Sequence, residues 1–197
     1  MCRRYLATFV TVLLLFAAGN LTAAAAGNPP QAEARQAALS SVFADVKSAA
    51  WIRDGKSAHV IYVFFDPNCP YCHKVFEMLR PQVQRGEVEL RWVVVGKLMA
   101  TSTGKAAAML EAKDPTEALY RNERGFSQET GSFGGIEEEP LPREDTLRKL
   151  QANMDLLKRT GFDAVPALLY RTRDGKVELI RGAPPAAFLD KLVKELE

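Results

Sequence analysis

The sequence predicts an α/β protein: a βαβ unit, then a helical block, then a β-hairpin and a closing helix. Three observations carry that reading. His59 to Phe65 is a nearly continuous β-branched and aromatic run, the pattern of a strand buried on both faces. Val88 to Val95 (Val-Glu-Leu-Arg-Trp-Val-Val-Val) reads as a second strand, separated from the first by a helical pattern of the length that a right-handed βαβ unit uses. Arg173-Asp174-Gly175 then punctuates two short apolar runs, Ala167 to Arg171 and Lys176 to Ile180, as a hairpin turn.

Arg3 and Arg4 precede an apolar run from Tyr5 to Ala18, and the small residues Ala23 to Ala26 follow. This is the layout of a secretory signal peptide cut close to Ala26, and the run is too short to span a bilayer comfortably. Its removal takes two of the 26 bases and none of the 24 acids, so the exported chain is expected to carry no net charge. Charges of both signs are mixed along the rest, which argues against nucleic acid as a partner. Cys2 leaves with the signal, and Cys69 and Cys72 remain as the mature thiols. One closely spaced pair in an exported protein makes no disulfide framework, and so points to chemistry rather than to stapling.

Residues 31–50 are Ala-rich with Leu39, Val42, Phe43 and Val46 at helical spacing, after an Asn28-Pro29-Pro30 lead-in. Asp54-Gly55 reads as a turn. Asp66-Pro67-Asn68 breaks the first strand, Pro70 suits a first helical turn, and a helix follows with Val75, Phe76 and Leu79 on one face. Pro81 is expected to kink or interrupt it and Gly86 to end it. Ser102 to Ala112 and Pro115 to Arg121 read as helices, and Gly125 to Pro142 as a solvated loop whose Glu137-Glu138-Glu139 faces water. Arg143 to Thr160 is a helix with Leu147, Leu150, Met154 and Leu157 as its apolar stripe, and Pro185 to Glu197 closes the chain. This is the element order of a thioredoxin fold with an inserted helical block and an N-terminal helix. The expected organisation is a signal peptide over 1–26, an N-terminal helix and linker over 27–57, and a catalytic domain over 58–197 with its helical insertion around 102–160.

Cys69-Pro70-Tyr71-Cys72 falls at the junction between the first strand and its helix. Two cysteines in one turn can form a disulfide, and the helix N-terminus, with its free N–H groups and positive dipole end, stabilises a thiolate there. Cys69, at the exposed edge of the helix, is the candidate nucleophile; Cys72, deeper, is the candidate resolving thiol. Pro70 and Tyr71 tune the pair by fixing φ, removing one donor and adding a phenol. His73 adds positive charge when protonated, or is simply a solvated first-turn side chain. Cys-x-x-Cys-His is also the haem-attachment signature, but flanking β-strands fit such a fold poorly. The chain offers His59, His73 and two thiols as ligands, too few for structural zinc. No cofactor is implied. Copper handling through the thiols remains as a non-catalytic reading. An inert structural disulfide would close too short a loop to stabilise much.

Four stretches carry a family resemblance: Trp51 to Lys56 (Trp-Ile-Arg-Asp-Gly-Lys), Tyr62 to Cys72, Lys113-Asp114-Pro115 and Gly161 to Ala167. Across residues 51–197 the chain resembles the catalytic domain of the periplasmic disulfide isomerases of the DsbC/DsbG group, on the DsbG side. The resemblance implies a thioredoxin fold, thiol–disulfide exchange on client proteins with disulfides or oxidised cysteines, a periplasmic location and a DsbD-like membrane reductase as electron donor. It also implies a cis-proline beside the cysteines, for which Pro166 stands in place; Val165 would then offer backbone groups to a client strand. Read from the residues alone, Pro166 is a proline at a strand start. Family isomerases also carry an N-terminal dimerisation domain, and about thirty residues here separate the signal from the catalytic domain, too few for an independent core. The expectation is therefore a monomer. A DsbA-like oxidase running the reaction in the other direction is the alternative, because residue identities do not fix the potential.

Overall fold

The computed structural model describes residues 29–127 and 131–196; the signal-peptide reading lies outside the described residues. Helix α1 (Pro29–Asp45) leads through a short 3-10 turn to strand β1 (Trp51–Asp54), then β2 (Val60–Phe65), α2 (Pro70–Gln84), β3 (Glu89–Val94), α3 (Ser102–Glu111), α4 (Pro115–Arg124) and α5 (Glu144–Arg159). Strands β4 (Ala167–Arg171) and β5 (Val177–Arg181) and helix α6 (Ala186–Leu192) complete it. The sheet runs in the order β1-β3-β2-β4-β5, with β2 and β3 parallel and the other pairs antiparallel. The parallel pair with its α2 crossover is the βαβ unit expected from the sequence.

Both faces of the sheet are covered, which is why β2 reads as an unbroken apolar run. Ile61, Val63 and Phe65 point toward a core shared with α2, α3, α4 and α6, while Tyr62 and Phe64 point toward one shared with α1 and α5. Trp92, Tyr62, Phe64 and Phe65 are among the largest fully buried side chains, and each contributes about 1.5–3 kcal/mol through burial. Residues 29–54, expected as a linker ahead of the domain, pack onto this same sheet: Leu39, Val42, Phe43 and Val46 are buried on its second face, and β1 pairs with β3. Pro29 and Pro30 begin α1 rather than preceding it.

Four local expectations are corrected. Trp51 to Asp54 is an edge strand as well as the approach to a turn; Ile52 and Asp54 point inward, so its short alternation hides behind a buried acid. Asp54 is fully buried and accepts from Arg80, from Trp92 Nε1 at 3.1 Å and from the Tyr120 hydroxyl at 2.6 Å. Helix α2 runs through Pro81 without interruption: the proline removes one donor, and buried Leu79, Gln82 and Val83 on either side keep the segment packed. On α5, Leu147 is 41% exposed, and the buried face contains Asn153 instead. Asn153 lies there because it donates to the Ala50 and Val94 carbonyls at 2.7 and 2.8 Å and accepts from Ala50 N–H at 3.2 Å, closing backbone groups at the end of β3. The 125–142 connection is more than a solvated loop. Ile136 is buried, Ser127 and Ser132 form a bridge, and Gly125 and Gly135 approach so closely that a side chain on either would collide with the other.

Candidate active site

Strand β2 delivers the chain to the site, and a buried carboxylate shapes the turn that follows. Asp66 accepts from Asn68 N–H at 2.9 Å and Ser102 Oγ at 2.7 Å on one oxygen, and from Lys97 and Leu98 N–H at 2.7 and 3.0 Å on the other. Asn68, also buried, donates to Thr101 and Ser102 hydroxyls and accepts from Lys105 Nζ, all at 2.9 Å. The inserted helix α3 therefore holds the turn from which Cys69 emerges. Cys69 is the N-cap of α2, and its sulfur accepts the Cys72 backbone N–H at 3.2 Å, with Pro70 in the first turn. A sulfur thus does what a serine or aspartate oxygen does at other N-caps.

Cys69 and Cys72 stand here as free thiols. The hydrogen bond that Cys69 shares with the Cys72 thiol holds it below the ordinary thiol range; burial opposes this, the Cys72 and Tyr71 backbone N–H groups assist, and the Asp66 charge opposes. Burial pushes the Cys72 thiol well up, and its bond to Cys69 adds to that. The two thiols are thereby pushed in opposite directions, Cys69 down and Cys72 up.

One expectation fails on exposure. Cys69 is 2% exposed and Cys72 1%, so Cys69 is not at an open edge. The reason is tertiary: the segment before β4 packs against it, placing the Val165 carbonyl 3.8 Å from Cys69 Sγ. The Val165–Pro166 peptide bond is cis, and Pro166 leads directly into β4, which pairs with β2. Tyr71 is 65% exposed and Pro70 is exposed too, so surface surrounds the buried sulfur.

His73 is neither simply solvated nor free: two carboxylates and an aromatic ring engage it. Its Nδ1 lies 2.9 Å from Glu123 Oε2, its Nε2 lies 3.5 Å from Glu77, and its ring stacks on Phe126 at 4.5 Å. Glu123 holds the imidazole above its ordinary range, while burial pushes the Glu123 carboxyl up. Neither thiol owes a leading part of its shift to His73. The site therefore unites Cys69, Pro70, Tyr71, Cys72, His73, Val165 and Pro166, and adds Asp66, Asn122, Glu123 and Phe126. The last three lie fifty or so positions along the chain from Cys72 in an ordinary amphipathic helix and its exit, where nothing in the sequence marks them. Among the described residues no group of three or more His, Cys, Asp or Glu side chains is placed to hold a metal ion, and the His73 imidazole is engaged by Glu123.

Residues 47–197 match the thioredoxin-like domain family. The chain belongs to it. Among curated thioredoxin-like relatives, the thiol:disulfide interchange protein DsbG of Pseudomonas aeruginosa is 36% identical over 143 residues, covering 71% of this chain and 53% of that protein. The Escherichia coli protein of the same name is 30% identical over 144 residues, covering 71% of this chain and 55% of that one. The chain thus spans about half the length of the curated relatives it matches. Among solved structures, the catalytic domain of Proteus mirabilis ScsC superposes with a TM-score of 0.63 at 21% identity, over 81% of this chain and 96% of that one. The thiol-disulfide exchange protein alpha-DsbA2 from Wolbachia pipientis gives 0.61 at 15% identity, over 85% and 98%. At these identities the structures speak for the thioredoxin-like fold.

Proposed function

We propose that this chain is an exported thiol–disulfide oxidoreductase of the reductase and isomerase type, acting on client-protein cysteines through Cys69 and Cys72. The observation that carries the reading is the asymmetry of the pair: a Cys69 sulfur capped by backbone N–H groups, beside a Cys72 thiol that burial keeps protonated. Cys69 thiolate attacks one sulfur of a client disulfide, forming a Cys69–client bond and releasing the other client sulfur as a thiolate that takes a proton from water. Cys72 then loses its proton and attacks Cys69 Sγ; the Cys69–Cys72 bond forms, the client leaves reduced, and two electrons have passed from the pair to the client. The client chain approaches over Pro70 and Tyr71 and pairs with the Val165 backbone, displacing the contact that covers the sulfur.

The curated relatives' names support interchange chemistry. On this reading the partners are client proteins and a DsbD-like membrane reductase that returns electrons to the pair. The chain works in the periplasm after cleavage near Ala26, with residues 58–197 as the catalytic portion, and as a monomer, which light scattering checks. Alkylation of the reduced protein by iodoacetamide, followed by mass spectrometry across pH, tests the core of the proposal. Cys69 should react with a midpoint below that of an ordinary free thiol; a midpoint at or above 9.0, the ordinary value, defeats it. A second reading has its own support. The contacts that favour Cys69 thiolate stabilise the reduced pair, which raises the reduction potential toward that of an oxidase of the DsbA kind. Equilibration with glutathione separates the two: a thioredoxin-like potential selects the reductase, a DsbA-like one the oxidase.

A further inference from the structure

Asn122 and Glu123, in the last turn of α4, grip the redox turn from both sides. Asn122 Nδ2 donates to the Pro67 carbonyl at 3.0 Å, ahead of Cys69, and to Glu123 Oε1 at 3.2 Å. Glu123 takes His73, immediately behind Cys72, at 2.9 Å. The 125–142 connection locks this grip: Gly135 N–H donates to the Asn122 carbonyl at 2.9 Å, and a side chain at Gly134 would fall 2.4 Å from Asn122 Oδ1 and 2.8 Å from the Pro67 carbonyl. The Glu123 side chain is 3% exposed, so its charge is poorly screened by water and strongly felt nearby.

We infer that Glu123 is a positioning residue for the exchange reaction, and that the charge state of the His73–Glu123 pair tunes how readily Cys72 gives up its proton to close the disulfide. With His73 protonated the pair is neutral, and Cys72 faces no net charge from it. Once His73 loses its proton, a bare buried carboxylate stands beside the turn and opposes a second negative charge at Cys72. The direction agrees with the electrostatics at Cys72, where burial and the Cys69 contacts oppose ionisation most and the Glu123 charge adds to them. Among the described residues, the charged groups facing His73 are Glu77 on its own helix and Glu123 on α4; the loop after α4 contributes the neutral Phe126 ring, and Asp66 bears on Cys69. The inference rests on the exchange reading above and concerns its second step, in which Cys72 thiolate attacks Cys69 Sγ, the Cys69–client bond breaks and the leaving thiolate is protonated by water.

The test is stopped-flow reaction of the reduced full chain with the aromatic disulfide 5,5′-dithiobis(2-nitrobenzoate). A first phase reports attack by Cys69 and a second reports displacement by Cys72, each releasing one coloured thiolate. In Glu123→Gln the second-phase pH profile should move to lower pH by roughly half a unit or more, while the first phase keeps its profile. Coincident second-phase profiles overturn the inference, as does an equal shift of both phases. Loss of the first phase in the wild-type protein instead removes the exchange reading itself. Should the variant not fold, His73 is titrated by NMR in the wild type: a midpoint above 6.5 agrees with the pair, and one at or below 6.5 overturns it.

Discussion

Replacing Asp66 by Asn separates the two things this carboxylate does, which are to hold the redox turn and to place a negative charge behind Cys69. Four donors converge on it, two on each oxygen. An amide of the same shape keeps one acceptor oxygen and presents two N–H donors where the other oxygen was. Two hydrogen bonds to a charged acceptor are lost, at about 1.5–3 kcal/mol each. The amide can choose which pair to abandon. Asn68 N–H and Ser102 Oγ are buried, whereas Lys97 and Leu98 lie where water reaches, so the oxygen should stay with the first pair. Water then serves the second pair, and the net cost falls to about 2–3 kcal/mol. For a chain of this size that lowers Tm by about 5–10 °C, read by circular dichroism under reducing conditions. Removing the charge acts in the other direction on chemistry: because Asp66 opposes Cys69 ionisation, the alkylation profile of Cys69 in Asp66→Asn should move to lower pH. A variant with unchanged Tm, or with the Cys69 profile moved to higher pH, refutes the reasoning.

Asn153→Ala leaves the buried Val94 carbonyl without this partner, while the half-buried Ala50 N–H and carbonyl can turn to water, and should cost about 1–3 kcal/mol in urea unfolding. Cys72→Ala should trap client proteins as mixed disulfides on Cys69, visible on non-reducing gels and absent in the Cys69→Ala variant. If the thiols serve copper instead, protein purified from copper-supplemented medium should carry stoichiometric metal that Cys69→Ala loses. The Tyr170 hydroxyl is pushed up to about 12 from 10.0, by burial first and by the Glu178 and Glu195 charges after it. A raised folded-state value means its contribution is complete below pH 10.0 and lost as pH rises toward about 12, so unfolding free energy should decline across that window.

The unbroken apolar run of β2 was readable because a strand covered on both faces leaves no polar alternation to confuse with anything else, and β3, which starts with Glu89 and Arg91 alternating with Leu90 and Trp92 and ends in an apolar stretch, was placed by the helix that separates it from β2. Strand β1 was hidden: four residues ending in a buried acid look like the approach to a turn until Arg80, Trp92 and Tyr120 are brought around Asp54. The α5 stripe was misassigned at Leu147 for a related reason, since periodicity weighs hydrophobicity and gives no credit to an asparagine that satisfies backbone groups. At the site, the Cys-Pro-Tyr-Cys spacing and its strand–helix setting marked both thiols. The covering of Cys69, the orientation of His73 and the roles of Asn122 and Glu123 were not marked.

The amino-acid order determined the element sequence, the placement of two sulfurs at a helix N-terminus and their separation by a single turn, because these depend on neighbours in the chain. Tertiary structure decided which thiol is held low and which is pushed up, how little of either meets water, and which carboxylates stand nearby. Those quantities depend on desolvation and on charges contributed by distant segments. Helices α3 and α4 and the strand after Pro166 converge on the turn only when the sheet has assembled beneath it.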